Sequence, residues 1–220
     1  MTIVNRRHLG LAAGMIATAG LTAGALVAAT ARAVDVAPTN GEAPPDFTSA
    51  DVHGEAFTLS DFADRTVVLE WNNPECPYVM RHYRAADGAP GNIPSLQAEA
   101  ASEEVVWITI NSSADGQQGH RDAAGYVEHM ASVDGAPARL LLDHSGELGH
   151  LYAAKTTPHL YVVDAGTLVY QGAIDSKATA SGGFDGVTNY VRAALDAIAA
   201  GEPIETPQTV AYGCTVKYAS

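Results

Sequence analysis

The stretch from Thr66 to Tyr83 constrains the fold most, because it places a thiol between a strand and a helix. Thr66 to Trp71 is a β-branched and aromatic run of strand length. Asn72-Asn73-Pro74 then breaks the strand, since Asn favours turns and proline cannot donate to a central ladder. Cys76 follows, and Pro77 suits the first position of a helix. The sequence therefore predicts Cys76 where a strand ends and a helix begins.

This position makes Cys76 the candidate nucleophile. At a helix start, unpaired backbone N–H groups and the positive end of the helix dipole favour thiolate over thiol. A thiol at the reference pKa is only about 3% ionised at pH 7, whereas one lowered by about two units is mostly ionised. The alternative is that Cys76 is an inert small residue or one half of a structural disulfide.

Residues 1–33 are predicted to be an export signal that resembles the twin-arginine type. Arg6 and Arg7 precede an uncharged stretch rich in Ala, Gly and Leu, and Ala31-Arg32-Ala33 is a small-x-small cleavage site. The stretch is also long enough to span a bilayer, so an uncleaved membrane anchor is the alternative. The expected location is periplasmic or otherwise exported, with membrane contact only if the signal stays uncleaved.

The net charge that is left after removal of residues 1–33 limits which partners the protein can bind. Removal of residues 1–33 would leave 220 − 33 = 187 residues, the size of one domain. Three of the 12 basic residues and none of the 25 acidic residues lie in that segment, so the remaining charge is 9 − 25 = −16. Such an acidic chain repels phosphate backbones, which excludes nucleic acid as a partner. Cys76 and Cys214 both remain, and in an oxidising compartment two cysteines can form one disulfide.

The remaining pattern predicts alternating strands and helices. The further strands are predicted at Glu104–Ile110, Arg139–Asp143, His159–Asp164 and Thr167–Gly172, the last two joined by a turn at Ala165-Gly166. Helices are predicted at Tyr78–Ala86, Ser95–Ser102 (the end of a helical segment), Gln118–Ser132, Ser145–Ala153 with Ser145 as cap, and Asp185–Ala200 stopped by Gly201. Asp46–Leu59 is expected to be a β-hairpin.

The predicted organisation is a signal at 1–33, a linker at 34–45, one domain at 46–201 and a C-terminal tail at 202–220 that carries Cys214. Strand, helix, strand, helix, a hairpin and a terminal helix indicate an α/β domain. Its central mixed β-sheet is flanked by helices on both faces and preceded by the N-terminal hairpin.

These residues resemble the thioredoxin-like superfamily and, within it, redoxins related to alkyl hydroperoxide reductase and thiol-specific antioxidant proteins. Exported bacterial redoxins share a Leu-Glu-Trp-x-Asn-Pro-x-Cys-Pro run, found here at Leu69–Pro77. They also share a Thr-Thr-Pro-His segment, here Thr156–His159, and a Tyr-Gly-Cys-x-Val-Lys-Tyr tail, here Tyr212–Tyr218. The resemblance covers residues 46–218 and implies a thioredoxin fold.

The resemblance also implies the surroundings of Cys76. Thr157-Pro158 is similar to the family's cis-proline, which lies against the active cysteine. Pro77, Tyr78, Thr157, Pro158 and His159 are therefore expected to bind substrate. Two of these keep an alternative, because Tyr78 could instead belong to the core and His159 could be an ordinary strand residue.

Acidic and basic residues near Cys76 affect its expected chemistry. Glu70 lies six residues before Cys76, where thioredoxins keep a buried acid that manages the proton of the attacking thiol; the alternative is a carboxylate turned to solvent. Glu75 would oppose a thiolate, whereas Arg81, His82 and Arg84 would offset that effect. The alternative is that some of these four residues are only surface charges.

Two departures from the family pattern bear on the reaction. Val79 stands at the resolving position of thioredoxin, so exchange within a vicinal dithiol is excluded. Cys214 is then either a resolving thiol or half of a permanent disulfide. Typical peroxiredoxins place Pro seven residues and Thr or Ser three residues before the peroxidatic cysteine. Leu69 and Asn73 hold those positions here.

The expected function is a thiol–disulfide oxidoreductase or a peroxiredoxin-like antioxidant protein with Cys76 as nucleophile. Its partners would be a protein or small-molecule disulfide or a hydroperoxide, together with a thiol reductant, and neither cofactor nor metal is expected. One alternative is a non-catalytic binding module with a structural Cys76–Cys214 disulfide. Another is a Cu(I)-binding protein that uses Cys76, Met80 and His82.

Overall fold

The computed structural model of the chain describes residues 37–85 and 89–219. The predicted export signal at 1–33 lies outside the described residues, as do the first three residues of the predicted linker. Within the described ranges, no helix combines the length and the apolar character that a membrane crossing requires.

Nine strands, five α-helices and one short 3-10 helix (Leu59–Phe62) are found among the described residues. The strands are β1 (Thr48–Ala50), β2 (Ala56–Thr58), β3 (Thr66–Trp71), β4 (Val106–Asn111), β5 (Arg139–Leu142), β6 (Thr156–Thr157), β7 (His159–Asp164), β8 (Thr167–Gly172) and β9 (Cys214–Thr215). The helices are α1 (Pro77–Tyr83), α2 (Asn92–Ser102), α3 (Ala123–Ser132), α4 (Glu147–Leu151) and α5 (Tyr190–Ala200).

The central sheet has five strands in the order β5-β4-β3-β7-β8. Strands β3, β4 and β5 are parallel, whereas β7 is antiparallel to both β3 and β8. The hairpin β1–β2 precedes the sheet, and β6 pairs separately with β9. This arrangement confirms the predicted thioredoxin fold with a mixed central sheet and an N-terminal hairpin.

The two faces of the sheet are covered by different elements. On one face, α1, α2, α3 and α5 pack around buried side chains such as Val68 and Trp107. On the other face, the hairpin and α4 pack around Leu69 and Trp71. Because side chains alternate along a strand, Glu70 of β3 shares its face with Val68 and the helix α1.

Three helices begin at different residues from those predicted, and in each case the chain around the first turn explains the difference. Helix α2 begins at Asn92, three residues earlier than expected, because Pro94 is tolerated in a first turn. Helix α3 begins only after Asp122, whose side chain accepts a hydrogen bond from the Gly125 N–H (2.8 Å). Helix α5 begins after Asn189, since Gly186 has a positive φ of 66° that interrupts the predicted helix.

The ends of two further helices also differ. Helix α1 ends at Tyr83, short of the predicted Ala86, because Arg84 has an extended backbone. Ser145 was predicted to cap α4, but the carboxylate of Asp143 accepts hydrogen bonds from the N–H groups of Leu148 (3.1 Å) and Gly149 (2.8 Å). Asp143 is therefore the main side-chain acceptor at the start of α4.

The segments before and after the predicted domain both pack on β8. In the predicted linker, Gly41 and Glu42 exchange backbone hydrogen bonds with Leu168 of β8. In the predicted tail, Thr209 and Pro207 bond to the backbone of Gln171 in the same strand. The tail thus lies along the domain before it reaches Cys214.

Candidate active site

Cys76 lies at the junction that the sequence predicted, directly before α1. Its N–H donates to the carbonyl of Asn73 (3.0 Å), and its own carbonyl accepts from the Met80 N–H (2.9 Å), the first bond of the helix. The thiol donates to the carbonyl oxygen of Thr157 (3.1 Å). The exposed fraction of Cys76 is 0%. The thiol is therefore covered in this structure.

The cover is formed by the cis-proline segment and the tail. The peptide bond between Thr157 and Pro158 is cis. Thr157 belongs to β6 and lies opposite Cys214 in the antiparallel pairing of β6 with β9. Thr157 therefore accepts a hydrogen bond from Cys76 and is the strand partner of Cys214, which places the two cysteines close together.

The two thiols are close enough to interact electrostatically. Partial burial, together with the hydrogen bond and the charge of Cys76, raises the pKa of Cys214 to about 12, while Lys217 opposes the shift. Both cysteines are free thiols in this structure, with Cys76 buried and Cys214 half-buried. Cys214 is therefore protonated at neutral pH in this arrangement.

A buried polar cluster anchors the tail two residues before Cys214. The Tyr212 hydroxyl donates to a carboxylate oxygen of Asp175 and contacts the His82 Nε2 (3.2 Å). The other carboxylate oxygen of Asp175 accepts from Arg81 Nη1 at 3.0 Å, and both side chains of this ion pair are almost fully buried. Because Arg81 and His82 belong to α1, the cluster ties the tail to the helix that follows Cys76.

Gly213, between Tyr212 and Cys214, permits the close approach of the tail. Its φ is 137°, a conformation that residues with a Cβ rarely adopt. A Cβ at this position would lie 1.9 Å from the Thr157 carbonyl oxygen, the acceptor of the Cys76 thiol. Glycine is therefore required at 213 for β9 to pair with β6 as observed.

Glu70 is fully buried rather than turned to solvent. Its carboxylate accepts hydrogen bonds from the side chains of Asn72 (2.9 Å), Tyr83 (2.9 and 3.0 Å), Trp107 (2.8 Å) and Thr109 (3.1 Å). Burial raises the pKa of Glu70, although these hydrogen bonds act in the opposite direction. The structure thus holds an acid with a raised pKa under α1.

The other predicted site residues lie in different surroundings. Pro77 is exposed and Tyr78 is half-buried, with its ring centroid 6.0 Å from that of Tyr212. His159 packs on Tyr161 (4.6 Å between ring centroids), which belongs to the sheet face opposite Cys76. Burial, together with the charge of Lys155, lowers the pKa of His159 to about 4. Pro77 and Tyr78 lie on the Cys76 side, whereas His159 does not join them.

The charged residues near Cys76 divide into exposed and buried ones. Glu75 is exposed and forms an ion pair with Arg121 (2.8 Å). Arg81 and His82, however, are buried. Burial lowers the pKa of His82 to about 4, while Asp175 opposes that shift and Arg81 adds to it. Arg84, like Glu75, is exposed, so the prediction that some of these four residues are surface charges is confirmed for Glu75 and Arg84, whereas Arg81 and His82 are buried.

Sequence reasoning missed Asp175 and the role of Tyr212. Asp175 follows β8 in a segment with no recognisable motif, and its carboxylate meets Arg81 only through the tertiary fold. Tyr212 was part of the tail that resembles exported redoxins, which was the single available signal. The pairing of a buried carboxylate with a buried guanidinium could not be deduced from positions 94 residues apart.

The copper alternative finds little support in the geometry. The Nδ1 atom of His82 contacts Asn92 (2.9 Å) and its Nε2 atom contacts Tyr212 (3.2 Å), so neither nitrogen faces Cys76 as a free ligand. In the part of the chain that the structure describes, no group of three or more His, Cys, Asp or Glu side chains is arranged to hold a metal ion.

Fold and site together define a thioredoxin-fold redoxin with one cysteine at the start of α1 and a second in the tail. Residues 40–171 match the family model for the AhpC/TSA family, which spans more than half of the chain. The chain belongs to this family. Membership supports a redoxin-like function.

Two solved structures, with TM-scores of 0.70 and 0.69, agree with this fold. A hypothetical protein from Sinorhizobium meliloti 1021 is 25% identical, with a TM-score of 0.70 over 84% of this chain and 97% of that chain. An uncharacterized conserved protein from Geobacillus kaustophilus is 24% identical, with a TM-score of 0.69 over 84% of this chain and 94% of that chain. The thioredoxin domain of a thiol-disulfide oxidoreductase from Bacteroides vulgatus is 16% identical, with a TM-score of 0.45 over 60% and 87%. A search of curated proteins gave no match.

Proposed function

We propose that the protein is a thiol–disulfide oxidoreductase in which Cys76 and Cys214 form a reversible redox pair. The observation that carries this proposal is the position of Thr157, which accepts a hydrogen bond from the Cys76 thiol and lies opposite Cys214 in the β6–β9 pairing. A disulfide between the two sulfurs would therefore need little rearrangement of the backbone. The pair takes the place of the vicinal dithiol that Val79 excludes.

In the oxidative half-reaction, the Cys76 thiolate attacks one sulfur of a substrate disulfide and releases the other as a thiolate. Cys214 then loses its proton and attacks Cys76, which forms the Cys76–Cys214 bond and releases the second substrate thiol. The first step requires the tail to lift, since Cys76 is 0% exposed. Pro77, Tyr78, Thr157 and Pro158 would surround the substrate in the opened site. His159 would not contact the substrate, because it packs on the opposite face of the sheet.

Glu70 is proposed to exchange protons with this pair from beneath α1. Its raised pKa brings a buried carboxyl group closer to neutral pH, where it can gain and lose a proton. Tyr83 and Trp107 hold the carboxylate in one orientation.

A hydroperoxide is the second candidate substrate, and membership of the AhpC/TSA family favours it. In that reaction the Cys76 thiolate would attack the peroxide oxygen, become a sulfenic acid and release an alcohol or water. Cys214 would then displace water to form the same disulfide. The Asn73 side chain is already bonded to the Glu75 N–H (2.8 Å) and to the Gln118 carbonyl (3.1 Å), so it is not available to activate a peroxide. We therefore favour the disulfide.

The test compares reduction of a model disulfide with consumption of hydrogen peroxide. Wild-type protein should reduce the disulfide, and both Cys76→Ser and Cys214→Ser should lose turnover by at least about 100-fold. Glu70→Gln should slow turnover and alter its pH profile, while Glu128→Gln, at an exposed position of α3, should not. If neither reaction depends on Cys76, the enzyme assignment fails and the non-catalytic binding module replaces it.

A further inference from the structure

A directed chain of side-chain hydrogen bonds runs from the start of α5 towards the tail. It begins at Asn189, the N-cap of α5, whose Oδ1 accepts from the Arg192 N–H (3.0 Å). The Nδ2 of Asn189 therefore faces the other way, and it donates to the Oδ1 of Asn92 (2.9 Å). The Nδ2 of Asn92 is in consequence turned towards His82 Nδ1 (2.9 Å). A backbone N–H of α5 thus fixes the orientation of two amides in succession.

This chain assigns the proton of the neutral imidazole. An amide Nδ2 only donates, so His82 Nδ1 accepts from Asn92 and the ring proton lies on Nε2. Burial lowers the pKa of His82 to about 4, which keeps the ring neutral near pH 7. The Nε2 atom meets the Tyr212 oxygen at 3.2 Å, and the Tyr212 hydroxyl proton goes to Asp175. Each member of the chain therefore donates to the next.

The contacts around the far end of the chain agree with this direction. Arg81 Nη1 lies 3.3 Å from His82 Nε2, but its two hydrogens are engaged by Asp175 (3.0 Å) and the Lys177 carbonyl (3.3 Å). The Nε2 proton of His82 is therefore left for the Tyr212 oxygen. Asp175, where the chain ends, is also the backbone partner of Asn189, where it begins, in an isolated β-bridge. The side chains thus form a closed circuit that the backbone completes.

We infer that Asn189 and Asn92 are positioning residues that fix the tautomer of His82 and thereby keep the tail docked over Cys76. Neither asparagine belongs to the candidate active site, since Asn189 caps α5 and Asn92 is the first residue of α2. This inference deepens the proposed function and rests on it, because Cys76 must be uncovered before it can attack a disulfide. The tautomer itself follows from the hydrogen bonds and can be measured apart from any activity.

The opposite tautomer would weaken the hold on the tail. With the ring proton on Nδ1, the Nε2 atom of His82 would be an acceptor. Tyr212 has a single hydroxyl proton, which could then serve either His82 or Asp175 but not both. One buried acceptor would be left without its donor, which is costly. Because Tyr212 lies two residues before Cys214, weaker docking of Tyr212 should uncover Cys76 more often.

Asn189→Asp reverses the chain while it keeps the helix cap. An aspartate at this position still accepts from the Arg192 N–H, but it has no amide hydrogen to donate to Asn92. Asn92 should then turn its Nδ2 towards the new carboxylate and its Oδ1 towards His82, which moves the ring proton to Nδ1. Nitrogen NMR of the reduced full-length protein near pH 7 should show the Nε2–H tautomer in the wild type and the Nδ1–H tautomer in Asn189→Asp. Alkylation of Cys76 by iodoacetamide, located by peptide mass spectrometry, should be at least about fivefold faster in the variant.

Thr188→Asp is the matched control, because it adds the same charge at the neighbouring, exposed position and leaves both amides in place. Equally fast alkylation in the two variants would make charge the cause and overturn the inference. An Nδ1–H tautomer or a charged ring in the wild type would also overturn it, as would an Nε2–H tautomer that persists in Asn189→Asp. A changed tautomer with an unchanged alkylation rate would separate His82 from tail docking and overturn it as well. Failure of the proposed function would show instead as disulfide reduction that does not depend on Cys76, and it would leave the tautomer result standing.

Discussion

At the scale of single residues, the buried histidine of α1 links acidity to stability. His82 contacts Asn92 and Tyr212 and packs against Phe184 (5.4 Å between ring centroids). Burial lowers its pKa to about 4 from the ordinary 6.5. In the unfolded chain His82 therefore binds a proton near pH 6.5, whereas in the folded protein it does so only near pH 4. The contribution of His82 to stability is fully present above pH 6.5 and is lost as the pH falls towards 4.

We predict that His82→Gln reduces the loss of stability between pH 7 and pH 4.5 by on the order of 2–3 kcal/mol. Urea denaturation at several pH values measures this slope. His159, also buried with a lowered pKa, acts in the same range, so part of the slope should remain. His53→Gln, at an exposed position, is the control. A slope as steep in His82→Gln as in the wild type would show that His82 is already protonated when folded.

At the scale of elements, the buried ion pair between Arg81 and Asp175 joins α1 to the chain that follows β8. Arg81 also donates to the carbonyls of Lys177 (3.3 Å), Gly182 (3.2 Å) and Gly183 (3.4 Å). Its guanidinium lies 4.4 Å from the ring centroid of Phe184. One side chain thus holds the loop after β8 against the helix of the active site.

We predict that Arg81→Gln lowers the free energy of unfolding by about 3–5 kcal/mol, because it leaves the Asp175 carboxylate buried without its charged partner. Arg192→Gln is the matched control. Arg192 forms an ion pair with Glu99 in which both side chains are partly exposed, so its removal should cost about 0–1 kcal/mol. Chemical denaturation of both variants provides the comparison, and equal losses would contradict the structural role of the buried pair.

Strands were easier to predict from the sequence than helix starts. The bounds of β3, β7 and β8 agree with the predicted runs, since each is a β-branched and aromatic segment limited by a turn. Helix starts depend on single contacts, such as the Asp122 side chain at α3 and the positive φ of Gly186 before α5. Cys76 could be placed because local chain chemistry fixes its junction. The Tyr212–Asp175–Arg81 cluster could not, because only the folded chain brings its members together.

At the scale of the whole molecule, a disulfide between Cys76 and Cys214 would close a loop of 214 − 76 = 138 residues. Loop-closure entropy assigns such a bond about 5 kcal/mol of stabilisation through the unfolded chain. Since Thr157 is the strand partner of Cys214 and also accepts the hydrogen bond of the Cys76 thiol, the two cysteines are already close, and the folded state should keep most of this gain.

We therefore predict that the oxidised protein is more stable than the reduced protein by up to about 5 kcal/mol. Urea denaturation with and without a reductant measures the difference. Cys214→Ser should show no response to the reductant. If wild-type protein behaves like Cys214→Ser, the disulfide either does not form or strains the fold as much as it constrains the unfolded chain.

The separation of the two cysteines also has a consequence in time. A ribosome adds about 5–20 residues per second, so roughly 7–28 seconds pass between the synthesis of Cys76 and that of Cys214. During this interval the strand that ends before Cys76 can form, but β9, which covers its sulfur, does not yet exist. During its synthesis the chain therefore lacks both the strand that covers Cys76 and a second cysteine with which Cys76 could form a disulfide. Once β9 is synthesised and pairs with β6, the Cys76 sulfur is covered.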